Sequence, residues 1–333
     1  MGEPALTVIM SVYNGAKHLP EAIESILNQT FGEFRFVIVD DGSTDETGTI
    51  LDDYARKDQR LVVVHQKNAG LTTTLNRIIA TTDGELIARM DGDDISLPHR
   101  FEKQIAKLRS TPDCIVVGCW FQVITENGTP VREYVFPDNH RILTHNLHRG
   151  VNCYAHGSVI MRRKVFSDMG FSYRFRHGQD FDLWLRLSER GRLGLVEDVL
   201  YKRRDHNKSI SRAVLPQRSA LMKLMLLLAD ERKKHGRELS NWAESEEEVL
   251  RTVPLWTEKE IEAYDKFLKV RRLLCAGENR KARIILSTLG EKMSNYSNLA
   301  VARYISYFPG FITGPLLRLR DRINSRRLFM RNL

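Results

Sequence analysis

The chain has 333 residues, of which 42% are hydrophobic and 28% charged, and this balance excludes a disordered polypeptide. Its length suits one large domain, or one of about 200 residues with an appendage. The 51 Lys and Arg residues outnumber the 42 Asp and Glu residues. The net charge of +9 indicates an anionic partner: a nucleotide, a nucleic acid or an acidic lipid surface.

Cysteine usage and hydropathy predict where the protein works. The four cysteines include no C-x-x-C pair, which indicates neither a zinc site nor a disulfide framework, so we expect a reducing cytoplasm. The first residues lack a basic region followed by an apolar core, so no secretory signal is expected. The longest uncharged apolar stretch, Tyr304–Leu317, is shorter than the roughly 20 residues of a spanning helix and contains prolines and glycines. We therefore expect no membrane crossing.

Short runs rich in β-forming residues alternate with helical patterns over the first hundred residues. The sequence predicts strands at 5–12, 34–39, 61–64 and 85–90, helices at 19–27, 44–54 and 72–80, and a further helix starting near residue 98. This alternation is typical of βαβ units in a mainly parallel sheet with flanking helices, an α/β fold. Ligands of open α/β sheets bind beyond the carboxyl ends of the strands. Polar clusters follow three of these strands, at 13–14, 40–41 and 91–94.

The pattern of predicted secondary structure changes near residue 215. Helical patterns without strand alternation follow, at 219–234, 258–275 and 280–291. We therefore predict an α/β domain over 1–215 and a helical carboxyl-terminal region over 216–333. From Gly314 onward the chain carries six arginines against one aspartate. Two interpretations of this tail stay open: it binds an anionic membrane surface peripherally, or it docks on the catalytic domain as a helical hairpin.

The acidic cluster Asp91-Gly92-Asp93-Asp94 follows the last of the predicted strands. Three carboxylates within four residues repel one another, and a divalent cation of the magnesium or manganese type would relieve that repulsion. A solvated turn that caps the next helix would use the same residues, and it is the better explanation of a bare D-x-D motif. The position at a strand end favours the metal and its phosphate ligands instead.

Two further clusters allow both a structural and a functional interpretation. Asp40-Asp41 follows a buried strand and could accept the N–H of a nucleobase, although capping of the next helix explains it equally well. Tyr13 could stack on a base or simply pack. Asp180 and Asp182 lie at the amino-terminal end of an amphipathic helix, where the helix dipole stabilises carboxylates. Either of them could also be a general base.

Taken together and in order, six segments resemble family 2 glycosyltransferases. The segments are Ser11–Asn14, Val39–Asp45, Asn68–Gly70, Asp91–Asp94, His156–Ser158 and Gln179–Arg186. The resemblance extends over roughly residues 5 to 211 and implies the GT-A fold, a nucleotide diphosphate sugar as donor, with UDP the expected nucleotide, and inversion at the anomeric carbon. A bacterial surface polysaccharide or glycolipid pathway is its expected setting. Nucleic acid is then not the expected partner.

The same resemblance assigns roles to individual residues. It implies Asp180 as the catalytic base and Asp93 as a ligand of Mn²⁺ or Mg²⁺, with His206 from a basic segment at the metal or the diphosphate. The residues expected to bind substrate are Tyr13, Asp41, Asn68, Asp91, His156 and Asp182. The acceptor is expected to be a saccharide or a lipid-linked saccharide, reached from the cytoplasm or from the inner face of the cytoplasmic membrane. Gln179 departs from the glutamate that the family more often has beside the base.

Three alternatives remain at this stage. A nucleotidyltransferase also uses acidic residues and a metal on an α/β sheet, but its Gly-rich, basic phosphate loop is not found near the first strand. A dehydrogenase would need a G-x-G-x-x-G after a strand, and the sequence has none. A sugar-nucleotide-binding protein without activity is the third, and turnover of donor in the presence of manganese would distinguish it from an enzyme.

Overall fold

The computed structural model describes residues 5–167, 169–173, 175, 177–206 and 215–236. They all fall within one compact unit, Met1–Leu255. The elements in chain order are β1 (Leu6–Val12), α1 (Leu19–Leu27), β2 (Phe34–Asp40), α2 (Thr47–Lys57), β3 (Leu61–His65), α3 (Leu71–Thr81), β4 (Leu86–Arg89), β5 (Ile95–Ser96), α4 (Arg100–Ser110), β6 (Cys114–Thr125), β7 (Pro130–Tyr134), α5 (His140–Leu147), a 3-10 turn (His156–Ser158), β8 (Ile160–Arg162), α6 (Arg163–Ser167), α7 (Gln179–Ser188), β9 (Arg192–Asp205) and α8 (Leu215–His235).

The strands form one mixed sheet in the order β3-β2-β1-β4-β8-β6-β9-β5, with β7 paired to β6. The first four strands in the chain are parallel neighbours, as the βαβ pattern predicted. Strand β8 runs antiparallel between β4 and β6, and β6 and β9 are again parallel. The α/β fold class is confirmed, with a parallel amino-terminal half joined through β8 to a second half that the sequence did not delineate.

Helix α1 shows why the predicted boundaries agree with the structure. Its buried residues, Leu19, Ala22, Ile23 and Ile26, recur at helical spacing, and the proline after Leu19 occupies the first turn. They pack against the buried side chains of β1 and β2 in the main core. Each fully buried aliphatic side chain contributes about 1.5 to 3 kcal/mol. This packing fixes the orientation of the loop between β1 and α1, which borders the polar edge of the sheet.

Helix α8 extends past the predicted domain boundary and packs against α7. The Met225 methyl group lies close to Gly178, and Arg232 forms an ion pair with Glu189, Nε to Oε2 2.9 Å. The division of the chain at residue 215 remains a prediction. The predicted helices at 258–275 and 280–291, and the basic tail from Gly314, lie outside the described residues. No helix in the described part of the chain has the length and apolar character needed to cross a membrane.

Candidate active site

The polar residues that follow β1, β2 and β4 lie together at one edge of the sheet. The Asp41 amide donates to the Val12 carbonyl (2.8 Å), which joins the ends of β1 and β2. Asn14, in the left-handed region with φ 51°, accepts the Thr44 amide at Oδ1 (2.8 Å). Tyr13 beside it is 54% exposed, although large apolar side chains are normally buried. The exposed ring is therefore available to a ligand at this edge.

Asp41 is buried, with 2% of its surface exposed, and organises the loop before α3. Its Oδ1 accepts from Gln66 Nε2 (2.6 Å) and the Ala69 amide (2.8 Å), and its Oδ2 accepts from the Gly70 amide (2.9 Å). Thr74 Oγ1 donates to Oδ1 as well. The carboxylate thus fixes the position of the 68–70 loop, including the exposed Asn68, beside the polar edge. Oδ2 keeps an acceptor site beyond its one bond.

The three carboxylates after β4 have different environments. Asp94 is 3% exposed and accepts the Tyr201 hydroxyl (2.8 Å) and the Arg204 amide (2.7 Å). It therefore ties the end of β4 to β9 and is a structural residue. Asp91 accepts from Arg89 Nη2 (2.6 Å), and Asp93 Oδ2 lies 2.9 Å from His206 Nε2.

Electrostatic effects also distinguish these carboxylates. Burial alone would raise the pKa of Asp91, but the charge of Arg89, the hydrogen bond from Arg89 and the charge of Arg203 hold it below its ordinary value. Burial raises the pKa of Asp93, the negative charge of Asp91 raises it further, and the bond from His206 opposes both. Burial and the charges of Asp93 and Asp91 raise the pKa of the structural Asp94 further still. Of the two more accessible carboxylates, Asp93 is the one whose ionised form is disfavoured, and a cation beside it would stabilise that form.

The side chains of Asp93 and His206 suit a hard divalent cation whose other coordination positions are filled by phosphate oxygens and water. A carboxylate oxygen and an imidazole nitrogen face each other here, and the Asp93 side chain is 38% exposed. Among the described residues, no three His, Cys, Asp or Glu side chains are grouped so that they could hold a metal ion. Magnesium-type sites commonly use one or two protein ligands and fill the rest with phosphate oxygens and water. Asp93 and His206 fit that arrangement.

Across the site from the strand ends, His156 and Asp180 come from the 3-10 turn and from α7. His156 Nε2 is buried without a hydrogen-bond partner. Burial and the charge of Arg89 lower the pKa of His156 to about 4, against the opposing charges of Asp91 and Asp180. The imidazole is therefore neutral at physiological pH. Asp180 accepts from Asn152 Nδ2 (3.1 Å).

Asp180 and Asp182 have different surroundings, although their place at the start of the helix left their roles equal and only the family resemblance distinguished them. Residues two apart on a helix point to nearly opposite sides. Asp182 is 2% exposed and accepts from Arg186 Nε (2.8 Å), so its carboxylate lies in a buried ion pair. Asp180 is partly exposed at the first turn of α7, where the helix dipole stabilises its charge. This geometry favours Asp180 for proton transfer and Asp182 for support.

The structure adds residues that the sequence interpretation missed. Arg89 and Arg100 are fully buried beneath the site, and Arg100 donates to the carbonyls of Gly157 (2.7 Å) and Arg89 (3.1 Å). Arg204 donates its Nε to the Asp93 carbonyl (2.8 Å), which holds the acidic loop from behind. Hydropathy patterns treat arginine as exposed. Only Arg89 lies inside an otherwise apolar run, whereas Arg100 and Arg204 lie among polar residues and gave no signal in the sequence.

Comparison with known proteins agrees with this fold and site. The model of Glycosyl transferase family 2 matches residues 7–170. EpsE of Bacillus subtilis (strain 168), provisionally named a glycosyltransferase, is 35% identical over 219 residues, which are 63% of this chain and 76% of the relative. The O-antigen biosynthesis glycosyltransferase WbnJ of Escherichia coli is 32% identical over 215 residues, 63% and 83% of the two chains. The chain belongs to glycosyl transferase family 2.

Solved structures support the GT-A fold. The S. aureus TarS fragment 1-349 in complex with UDP-GlcNAc superposes with a TM-score of 0.57 at 21% identity, over 69% of this chain and 68% of that chain. The mannosyltransferase PcManGT from Pyrobaculum calidifontis, in complex with GDP-Man and Mn²⁺, gives a TM-score of 0.53 at 16% identity, over 98% and 83% of the two chains. At these identities the likeness defines the fold alone. The protein is a glycosyltransferase of the GT-A fold.

Proposed function

We propose that the protein transfers a sugar from a UDP-sugar to an acceptor hydroxyl, with inversion at the anomeric carbon and with Asp180 as the base. The observation that carries this proposal is the difference between the two carboxylates of α7. Asp180 is partly exposed beside His156 and Asn152, whereas Asp182 is buried in its ion pair with Arg186. A base has to reach the acceptor hydroxyl, and only the exposed carboxylate can do so.

The donor is proposed to bind along the strand ends. The exposed Tyr13 ring and the second acceptor site of Asp41 Oδ2 suit a uracil, and Asn68 borders that pocket. Asp91 is proposed to contact the ribose or the donor sugar. The neutral His156 imidazole, with an unpaired Nε2, can exchange a hydrogen bond with the substrate. The S. aureus relative in fold was solved with UDP-GlcNAc, which supports a UDP-linked donor here.

The reaction is a single in-line displacement. Asp180 takes the proton of the acceptor hydroxyl as the oxygen attacks the anomeric carbon from the side opposite the departing diphosphate. Asp93 and His206 would hold Mn²⁺ or Mg²⁺, which, when bound, supplies positive charge to the departing diphosphate. The mannosyltransferase PcManGT was solved in complex with GDP-Man and Mn²⁺, which supports a divalent cation beside the donor here.

The setting is proposed from the relatives. WbnJ is named for O-antigen biosynthesis, which supports a role in building a bacterial surface polysaccharide or glycolipid. The acceptor would then be a saccharide or a lipid-linked saccharide. A peripheral contact of the tail with the inner face of the cytoplasmic membrane would bring the enzyme to such an acceptor. That contact rests on the sequence of the tail alone.

Two variants test the assignment. Asp180→Asn should bind donor normally but lose transfer by about 10² to 10⁴-fold, because the amide cannot take a proton. Asp198→Asn, an exposed carboxylate of β9, is the matched control and should keep full activity. Transfer is followed by mass spectrometry across nucleotide sugars, GDP-linked donors included, with Mn²⁺ or Mg²⁺. Near-normal turnover of Asp180→Asn would refute the base assignment.

Metal dependence is tested separately by binding. Asp93→Ala should weaken the binding of UDP in the presence of Mn²⁺ and leave the weaker binding in EDTA unchanged, as measured by calorimetry. Equal loss of affinity with and without Mn²⁺ would mean that Asp93 acts on the nucleotide directly and that the metal assignment is wrong.

A further inference from the structure

A short segment between α6 and α7, residues 169–171, is held by a side chain from a distant part of the chain. Asn76 of α3 donates from Nδ2 to the Phe171 carbonyl (2.8 Å) and accepts the Phe171 amide at Oδ1 (2.8 Å). One side-chain amide thus pairs with both backbone groups of one residue, as a neighbouring strand would. The two residues are 95 positions apart in the chain.

A second side chain holds the same segment from α7. Arg186 donates from Nη2 to the Gly170 carbonyl (3.0 Å), and its Nη1 lies 3.5 Å from the Met169 carbonyl. Its Nε donates to the buried carboxylate of Asp182 (2.8 Å), which fixes the guanidinium plane. Gly170 has a φ of 58°, and a Cβ there would lie 3.1 Å from Asn76 Oδ1. The segment and its two anchoring side chains therefore fit closely.

Packing and hydrogen bonds together hold this segment. The Phe171 side chain is 1% exposed, and its ring meets the Phe166 ring edge to face with the centroids 5.1 Å apart. A cavity of about 470 Å³ lies against the segment, and Asn76, Phe171 and Arg186 are among the residues that line it. The hydrogen bonds from Asn76 and Arg186 therefore restrain the backbone on the side that lacks packing contacts.

On its other side, Phe171 contacts the active site. Its ring meets the His156 ring edge to face, with the centroids 5.3 Å apart and the planes at 78°. Trp184 of α7 meets the same imidazole at 6.4 Å and 70°. The Phe171 ring is therefore one of two aromatic rings that pack against this imidazole. His156 lies near both carboxylates: a Cβ on the adjacent Gly157 would lie 2.9 Å from Asp91 Oδ2, and the charges of Asp91 and Asp180 both act on the imidazole.

We propose that Asn76 and Arg186 are positioning residues, which hold Phe171 against His156 and so fix the imidazole near Asp91 and Asp180. The effect of this arrangement on the reaction rests on the proposed glycosyl transfer. The arrangement itself can be tested independently, because the positions of Phe171 and His156 can be measured without turnover. Neither anchoring residue touches the reacting groups themselves.

The test uses the full chain with three substitutions. Asn76→Ala removes both hydrogen bonds to Phe171, and we expect at least about tenfold faster exchange of the Phe171 amide, as one lost hydrogen bond implies. The ring signals of His156 in NMR spectra should shift as Phe171 moves. Phe171→Leu should shift the His156 signals and leave its own amide protected. Thr81→Ala, on the same helix but bonded to carbonyls of its own helix, should change neither.

Binding of UDP with Mn²⁺ separates a local effect from general damage. Asn76→Ala should bind UDP within about twofold of the wild type, because the strand-end loops are unaltered. If Asn76→Ala does not fold, Asn76→Asp keeps an acceptor for the Phe171 amide and should shift His156 by a smaller amount. Unchanged His156 signals in a folded Asn76 variant with a rapidly exchanging Phe171 amide would overturn the proposal, as would loss of UDP binding together with the shift. Once an acceptor is known, a raised KM for it at unchanged donor affinity is the expected kinetic result.

Discussion

Substitution of Asp41 by asparagine tests how far one buried carboxylate organises the donor side of the site. Three donors converge on Oδ1 and the Gly70 amide on Oδ2. Asparagine keeps one acceptor oxygen and places an NH₂ group where the other oxygen was. The Gly70 amide then faces a donor, and the remaining three bonds lose the strength that an ionised acceptor gives them.

The magnitude follows from these bonds. Gly70 is at the surface, so its amide can bond to water instead of to Asp41. Loss of the hydrogen bond from the Gly70 amide to Oδ2 therefore costs about 1 kcal/mol, near the lower end for a donor that loses its partner. Exchange of a charged for a neutral acceptor weakens each remaining bond by roughly 1 kcal/mol, and such losses are only partly additive. We expect the loop at 68–70 to be destabilised by about 3 kcal/mol, which is a factor of more than about 100 in its opening equilibrium.

Hydrogen exchange is the suitable assay, because it reports the loop without assuming that the whole chain unfolds in one step. The amides of Ala69 and Gly70 should exchange at least about 100-fold faster in Asp41→Asn than in the wild type. Asp53→Asn is the control, since that carboxylate is 46% exposed and pairs with Arg56 at the surface. Exchange at Ala69 within about threefold of the wild type would show that the convergent bonds do not hold the loop, and the reasoning would fail.

Two further predictions concern Gly157 in the 3-10 turn and His65 at the end of β3. A Cβ at Gly157 would lie 1.9 Å from the hydroxyl of buried Tyr201. We therefore expect Gly157→Ala to lower the free energy of unfolding by about 1 to 3 kcal/mol and to reduce transfer. Gly32 has open space around it, so Gly32→Ala should do neither. Hydrogen bonds to Asp52 and then Asp40 raise the pKa of His65, so its stabilisation is complete below the unfolded value of about 6.5 and is lost as pH rises through the higher folded value. The stability advantage of the wild type over His65→Gln, measured by urea unfolding, should therefore shrink from about pH 6 to pH 8, and an advantage that grows would contradict the assignment.

The parallel half of the fold was predictable because its signals are local. Strands β1, β2 and β4 are short buried runs bounded by polar turns, and the edge strand β3 is a short run rich in valine. Helix α1 has a full apolar stripe, so the predicted spans 5–12 and 19–27 agree closely with the observed elements. The strands of the second half, which follow β4 in the chain, were not predicted from the sequence. Strand β6 is buried almost throughout, β9 mixes buried and exposed positions irregularly, and the pairing of the two carries register shifts, so no simple period marks them.

The residue pattern by itself predicted the roles of the acidic residues only as a group, and separate roles came from the family resemblance alone. Asp94 is structural because it bonds to Tyr201 and Arg204, which lie 107 and 110 positions further along the chain. No local pattern carries that information, so the sequence placed all three carboxylates of the loop in one cluster. For α7 the helical spacing alone could have separated Asp180 from Asp182, but the face that is buried depends on contacts across the fold.

The position of the site follows from the way β8 joins the two halves of the sheet. The parallel strands end in loops that suit a nucleotide, whereas β9 supplies the bonds that lock Asp94 and the carbonyl of Asp93. The acidic loop is therefore fixed from both halves before any ligand binds, which limits the reorganisation that donor binding requires. His156 and Asp180 face it from the 3-10 turn and from α7, whose Phe181, Trp184 and Leu185 are buried in the core. The wall opposite the acidic loop is therefore held by packing as well.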